Sequence, residues 1–309
     1  MRYLVILLLV SFFMMTGCDS HEKKAQFDTP LSGTIRISVD ETFKPVIEEQ
    51  IKMYELSYPG TKIIADYKPE IDCIRDFFSD SAVRLVLVSR ALTRKEEKYL
   101  ADSLHYIPGC QPVASDAVSV VIHKTSTDSL FTIKGLQNAL SGKENSGKVF
   151  VFDGLNATST VRYIRDSIMK GEIFDTSMVK AVRSSKEVLE YVAEHENAVG
   201  FMGVSWIGNK EDSSQRRMLE KVKLAYVRCE LCEGKPYVKP MQESMLTRRY
   251  PLVRKLYYMI HENYTGLGTG FTSFLKFERG QLIFRRAYLG PVMDLDIRNV
   301  QVNERIPEN

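Results

Sequence analysis

Alternating and helical hydrophobic periods succeed one another along most of this chain. Gly33-Thr-Ile-Arg-Ile-Ser-Val-Asp40 alternates apolar and polar positions, which predicts a strand. Phe43, Val46, Ile47, Ile51 and Tyr54 then recur at helical spacing within residues 42–58, and Tyr58-Pro59-Gly60 stops that helix. A second strand is expected over 61–67, a second helix over 71–78, and a buried strand at Arg84-Leu-Val-Leu-Val-Ser89. A charged helix follows over 93–103. The same style continues with strands at 117–123, 148–152 and 198–202, and helices at 132–140, 159–170 and 184–194. Residues 250–263 read as a long amphipathic helix, and 271–279 with 280–289 complete the pattern. Strands alternating with helices imply an α/β fold with a largely parallel sheet covered on both faces. No internal repeat and no low-complexity tract is visible.

The first residues follow a different pattern. Arg2 precedes the apolar run Leu4–Val10, extended by Phe12, Phe13, Met14 and Met15 and closed by Thr16-Gly17-Cys18. A charged start, a short apolar run and small residues describe an export signal, too short to span a bilayer, which takes about 20 residues. Cys18 after Gly17 looks like a bacterial lipobox, with Met15 where Leu is commoner. The segment 1–17 is therefore expected to be a signal peptide. Residues 18–32 then form a tether that begins at a lipid-modified (palmitate-bearing) Cys18 outside the inner membrane.

Bulk composition adds limits. The chain has 309 residues, 44% hydrophobic and 26% charged, enough for one large domain or two ordinary ones. Its 42 basic and 39 acidic residues are interspersed and leave a net charge of +3, which argues against a nucleic-acid partner. Past Cys18 four cysteines remain, Cys73, Cys110, Cys229 and Cys232. Cys229-x-x-Cys232 lacks a second ligand pair for structural zinc and stands in a loop or hairpin context. It suggests a disulfide, internal or to Cys73 or Cys110, or else two idle thiols. The five histidines are scattered and form no zinc-hydrolase motif. Gly203-Val-Ser205-Trp-Ile-Gly208 misses the nucleophile-elbow spacing and reads as a strand end with a packed Trp206. Gly266-Leu-Gly-Thr-Gly270 lacks the lysine of a phosphate loop and is expected to join two helices.

The candidate chemistry lies at strand-to-helix junctions. A helix start presents unpaired N–H groups and partial positive charge, which suits an oxyanion. Three junctions carry matching side chains: Asp40-Glu41-Thr42-Phe43, Ser89-Arg90-Ala91-Leu92-Thr93, and Asn156-Ala157-Thr158-Ser159-Thr160. Singly, each is also an ordinary N-cap. Jointly, at strand ends of one α/β fold, they suggest a convergent site.

In order and spacing these segments resemble phosphate-binding proteins of the ABC-transporter solute-binding class. Thr42-Phe43 with Pro45 is similar to that family's first anion loop. Ser89-Arg90-Ala91-Leu92-Thr93 with Glu96 is similar to its Ser-Arg-x-Leu-Thr segment, and Thr158-Ser159-Thr160 stands at its Ser-Gly-Thr helix start. Pro112–Val121, Ala198–Gly203, Tyr250–Tyr257, Phe274–Phe277 and Gly280-Gln281 extend the resemblance over about Gly33 to Pro291. It implies a periplasmic-binding-protein type II fold, two α/β lobes joined by two crossing strands around a ligand cleft. Lobe I would comprise 33–114 with 238–309, and lobe II 115–237. It further implies a non-enzymatic, cofactor-free, monomeric periplasmic lipoprotein that delivers phosphate, or a related oxyanion, to an ABC permease in the inner membrane. By position, Thr42, Phe43, Ser89, Arg90, Thr158, Ser159 and Thr160 would hold the ligand, with Arg90 gripping two oxygens.

Two loops depart from the family pattern. Phe152-Asp153-Gly154-Leu155 replaces a stretch that commonly holds an Arg, and Asp153 would repel an anion unless paired, for instance with Arg162 or Arg165. Lys68-Pro69-Glu70-Ile71-Asp72 replaces a Gly- and Ser-rich loop. Glu70 and Asp72 either accept the proton of a hydrogen phosphate or mark a different ligand. The rival reading is a structural or sensory lipoprotein with the same fold that does not transport an oxyanion.

Overall fold

The computed structural model describes residues 27–154, 157–209 and 211–293. The export segment, Cys18 and the tether up to Gln26 lie outside the described residues, as do Leu155, Asn156 and 294–309. Among the described residues no helix is long and apolar enough to cross a membrane.

The first half of the sheet follows the expected alternation. β1 (Gly33–Asp40), α1 (Lys44–Ser57), β2 (Thr61–Lys68), α2 (Glu70–Ser79), β3 (Val83–Val88) and α3 (Arg94–Leu104) succeed one another. β1 pairs in parallel with both β2 and β3. The long strand β4 (Gly109–His123) then runs out of this half, and its residues Val113 to Ile122 are almost all buried. Beyond it come α4 (Ile133–Leu140), β6 (Val149–Phe152), α5 (Ser159–Ile164), β7 (Val179–Ala181), α6 (Ser185–Glu194) and β8 (Ala198–Gly203). β6 lies parallel to β7 and β8. α7 (Ser213–Leu219) and β9 (Val222–Leu224) follow. A small separate sheet combines β5 (Leu130–Phe131), β10 (Tyr226–Arg228) and β11 (Tyr237–Val238). α8 (Gln242–Leu246), β12 (Val253–Ile260), α9 (Leu267–Lys276), α10 (Glu278–Arg286) and β13 (Gly290–Pro291) end the described fold.

The strand order repeats. One half reads β2-β1-β3-β12-β4 and the other β7-β6-β8-β4-β9, with three parallel strands followed by an antiparallel one in each. No sequence repeat announced this, because pairing order constrains direction and length rather than side-chain identity. β4 belongs to both halves. Its residues Gly109 to Ala117 pair with β12, and Val118 to Ile122 pair with β8.

Two expectations need correction, and one open reading is narrowed. Residues 250–263 are not a helix; β12 is a strand antiparallel to β3 and β4. Tyr250, Val253, Leu256, Tyr257 and Ile260 fall at helical spacing, and a buried Arg254 disguises the strand alternation. Gly266–Gly270 leads from a strand into α9 rather than joining two helices. Of the pairings open for the cysteines, Cys229 bonds Cys232 in the β10–β11 loop, while Cys73 and Cys110 are free thiols.

Packing around β4 depends on one fully buried amide. Gln281 on α10 donates to the carbonyls of Val113 (2.9 Å) and Leu275 (2.6 Å), and its Oε1 accepts the Val292 N–H at 2.7 Å. Gln281→Leu would leave these backbone groups buried and unpaired. The expected loss is about 2 kcal/mol or more of unfolding free energy, read by urea denaturation.

Candidate functional site

The carboxyl ends of the parallel strands in both halves turn toward one another, the usual place for ligands in open α/β sheets. β1 ends at Asp40, whose Oδ1 accepts the Thr42 N–H at 3.1 Å and so caps the tight turn Glu41–Phe43. α5 starts at Thr158, whose hydroxyl accepts the Val161 N–H. Thr42 Oγ1 and Ser159 Oγ, from opposite halves, lie 3.3 Å apart, and both residues are buried. Trp206 Nε1 donates to the Thr42 carbonyl at 2.9 Å, and Ser205 Oγ to the same oxygen at 3.3 Å. Gly203 permits this approach: a Cβ there would stand 2.6 Å from Thr42 Cγ2.

Arg254 forms the centre. On β12 it sits directly across from Asp116 on β4, and its Nε donates to Asp116 Oδ2 at 2.8 Å with both side chains essentially inaccessible to solvent. Its Nη1 donates to Ser159 Oγ at 3.0 Å, and its guanidinium lies 5.2 Å from the centre of the Phe43 ring. Arg254 Nη2 finds no hydrogen-bond partner, and neither does Asp40 Oδ2. Burial works against the charge on Arg254, but Asp116 and Asp40 outweigh it and keep the guanidinium ionised.

The other sequence-expected residues fall into three groups. Ser89 stands at the rim, its N–H and hydroxyl both donating to Glu70 Oε1 at 2.9 and 2.8 Å. Arg162, one turn into α5, donates to Glu70 Oε2 through Nε at 2.6 Å and to Ser89 Oγ through Nη2 at 2.8 Å. Thr158 and Thr160 are buried, and their hydroxyls donate to Asp153 at 2.8 and 3.2 Å, as does Ser185 at 3.2 Å. Arg90 is turned away: both fork nitrogens bond Glu96 at 2.7 Å, and Nη1 also reaches the Ala91 carbonyl. Glu96 simultaneously closes the capping box of α3 with Thr93. The arginines among the converging side chains are thus Arg254 and Arg162. Asp153 is balanced by hydroxyls, not by Arg162 or Arg165, and Asp72 pairs with Arg75 near the surface.

The cluster is rich in carboxyl groups. Burial raises Asp40, with the Glu70 charge adding to it and Arg254 opposing. Burial likewise raises Asp116 against the pull of Arg254, and Asp153 against its hydroxyl donors. Glu41, bonded to Ser185, is pushed up to about 7 by burial and by the Asp153 charge. Glu70 goes the other way: burial acts to raise it, but Arg162 and then Ser89 hold it below the ordinary value. The site therefore combines two fixed cations, one firm carboxylate and several carboxyls that burial makes easier to protonate. With the Thr42 and Ser159 hydroxyls, such a set offers both hydrogen-bond acceptors and donors to a small polar ligand.

A family model described as a PBP superfamily domain matches residues 25–277, and the chain belongs to that family. Among solved structures, a protein assigned as a phosphate ABC transporter substrate-binding protein from Clostridium perfringens, solved with bound phosphate, is 20% identical. It aligns with a TM-score of 0.69 over 84% of this chain and 100% of its own. An ABC-type phosphate transport receptor from Vibrio cholerae is 17% identical, with a TM-score of 0.60 over 83% and 99%. The CcmR regulatory domain of Synechocystis, in complex with 2-PG, is 13% identical, with a TM-score of 0.53 over 79% and 96%. No curated protein is a significant sequence match. The fold is the periplasmic-binding-protein type II fold that the sequence resemblance implied.

Glu41 gives the site a measurable pH signature. Between its ordinary 4.5 and about 7 the folded state keeps a proton that the unfolded chain releases. Its contribution to stability therefore falls as pH rises through that window. Glu41→Gln, neutral at every pH, should gain stability over the parent at pH 8 and lose most of that gain at pH 5, as measured by paired urea melts.

Proposed function

We propose that this protein is a periplasmic, lipid-anchored solute-binding protein that captures phosphate, or a closely similar protonated oxyanion, between two lobes for an ABC importer. The lobes are taken as 33–114 with 238–309, and 115–237, anchored through Cys18. Membership of the PBP superfamily domain family and the likeness of its fold to phosphate receptors support the class. Among the unsatisfied atoms at the centre, which also include Asp116 Oδ1, those that carry the ligand are Arg254 Nη2 as donor and Asp40 Oδ2 as acceptor.

A ligand that satisfies both must accept from a guanidinium and donate an O–H to a carboxylate. Hydrogen phosphate does both. Sulfate at neutral pH has no proton to donate and would leave Asp40 unpaired and repelled. Thr42 and Ser159 bring hydroxyls from opposite sides, so the ligand's contacts are complete only when the two halves meet. Binding thereby favours the closed arrangement. No bond is made or broken in this function.

Calorimetry with phosphate, arsenate and sulfate tests the reading. Phosphate and arsenate should release heat, and sulfate at the same concentration should not. Ser159→Ala should weaken phosphate about tenfold, and Arg254→Met by about a hundredfold or more, from the loss of hydrogen bonds to a charged ligand. Silence with all three anions at millimolar concentration rejects it.

A further inference from the structure

The donors at the rim of the cleft already hold a carboxylate that belongs to the chain. Glu70 Oε1 accepts both the N–H and the hydroxyl of Ser89, and also Arg162 Nη2 at 3.3 Å; Oε2 accepts Arg162 Nε. A backbone amide, a hydroxyl and a guanidinium around two oxygens form the kind of donor set that would hold a free oxyanion. Glu70 is buried and remains ionised there. Ser89 follows β3 and Arg162 lies on α5, so the carboxylate also ties one half of the sheet to the other. Beside it, the Ile71 N–H donates to the Ala157 carbonyl across the same gap at 3.2 Å.

From this geometry we infer that Glu70 is a specificity-determining residue, an internal anion that competes with the ligand for Ser89 and Arg162 and latches the halves together. The inference rests on the oxyanion reading of the cleft for the word "competes"; the latch stands on the contacts alone. An incoming anion must displace the Glu70 carboxylate or tolerate its charge. Weakly held anions are thereby excluded, and those able to donate a proton to Glu70 are admitted. A singly charged species that carries two O–H groups fits better than a fully ionised one.

Glu70→Gln keeps the shape and removes the charge. It should tighten phosphate about tenfold or more at pH 8 in calorimetry. It should also enlarge the radius of gyration measured by small-angle scattering before phosphate is added. Arg162→Gln cuts the latch from its other end. It should enlarge the radius equally yet weaken phosphate, because a donor is lost. If both variants keep the parent's radius and Glu70→Gln leaves affinity unchanged or lower, the inference is overturned, while binding by the parent would still uphold the phosphate reading. If phosphate is silent for parent and variants alike but both variants open, the latch stands and the oxyanion reading falls.

Discussion

The buried ion pair between Arg254 and Asp116 is the constraint on which the site depends. Two charges removed from water are costly, and their attraction repays that only with good geometry and further hydrogen bonds. Here the strands supply the geometry: the two residues are direct partners in the β12–β4 register, so the pair forms whenever those strands pair correctly. Ser159 and the Phe43 ring add a hydrogen bond and a π-face to the same guanidinium. Removing either partner would strand an uncompensated charge, a loss of about 3–5 kcal/mol in comparable buried pairs. The pair sits where β4 passes from one half of the sheet to the other. Its orientation thereby fixes the direction in which Arg254 Nη2 points.

Around this pair the charge balance decides what can be bound. Asp40, Glu41, Glu70, Asp116 and Asp153 face two arginines, and full ionisation of all five would leave the site strongly negative. The protein avoids that by burial, which shifts most of these carboxyls toward their neutral form, and by pairing Glu70 with Arg162. Whatever negative charge these residues keep repels a bare dianion, so selection turns on the ligand's proton count rather than on attraction alone.

Much of the fold was legible because its strands are short, apolar and separated by good helix signals. The 33–58 segment and the buried 84–89 strand are examples. Thr42 and Ser159 were legible for a related reason: small hydroxyl residues at strand-to-helix turns have few other uses than capping or anion contact. Arg254 was hidden because its strand mimics helical spacing, and an arginine in a central strand offers no periodic signal. Arg90 misled for the opposite reason, since it stands beside Ser89 in sequence. Yet Thr93-x-x-Glu96 is a capping box visible in the chain, and a Glu anchored there is well placed to claim the nearby guanidinium. Arg162 lay one turn beyond the recognisable junction, where helix pitch, not sequence adjacency, aims it at Glu70.

The repeated strand order shows how the two halves are joined. β4 serves as the antiparallel strand of the second half and also completes the first, while β12 returns to lie between β3 and β4. Each half is thus completed by a strand continuous with the other, and neither can separate. β4 changes partner from β12 to β8 at Val118, where the Val118 N–H donates to the Leu252 carbonyl at 2.9 Å. Contacts of Thr42, Ser89 and Glu70 with Ser159 and Arg162 bridge the gap between the halves. These contacts all lie on the cleft side of the shared strands, so they join the halves at a point separate from the strand pairing itself.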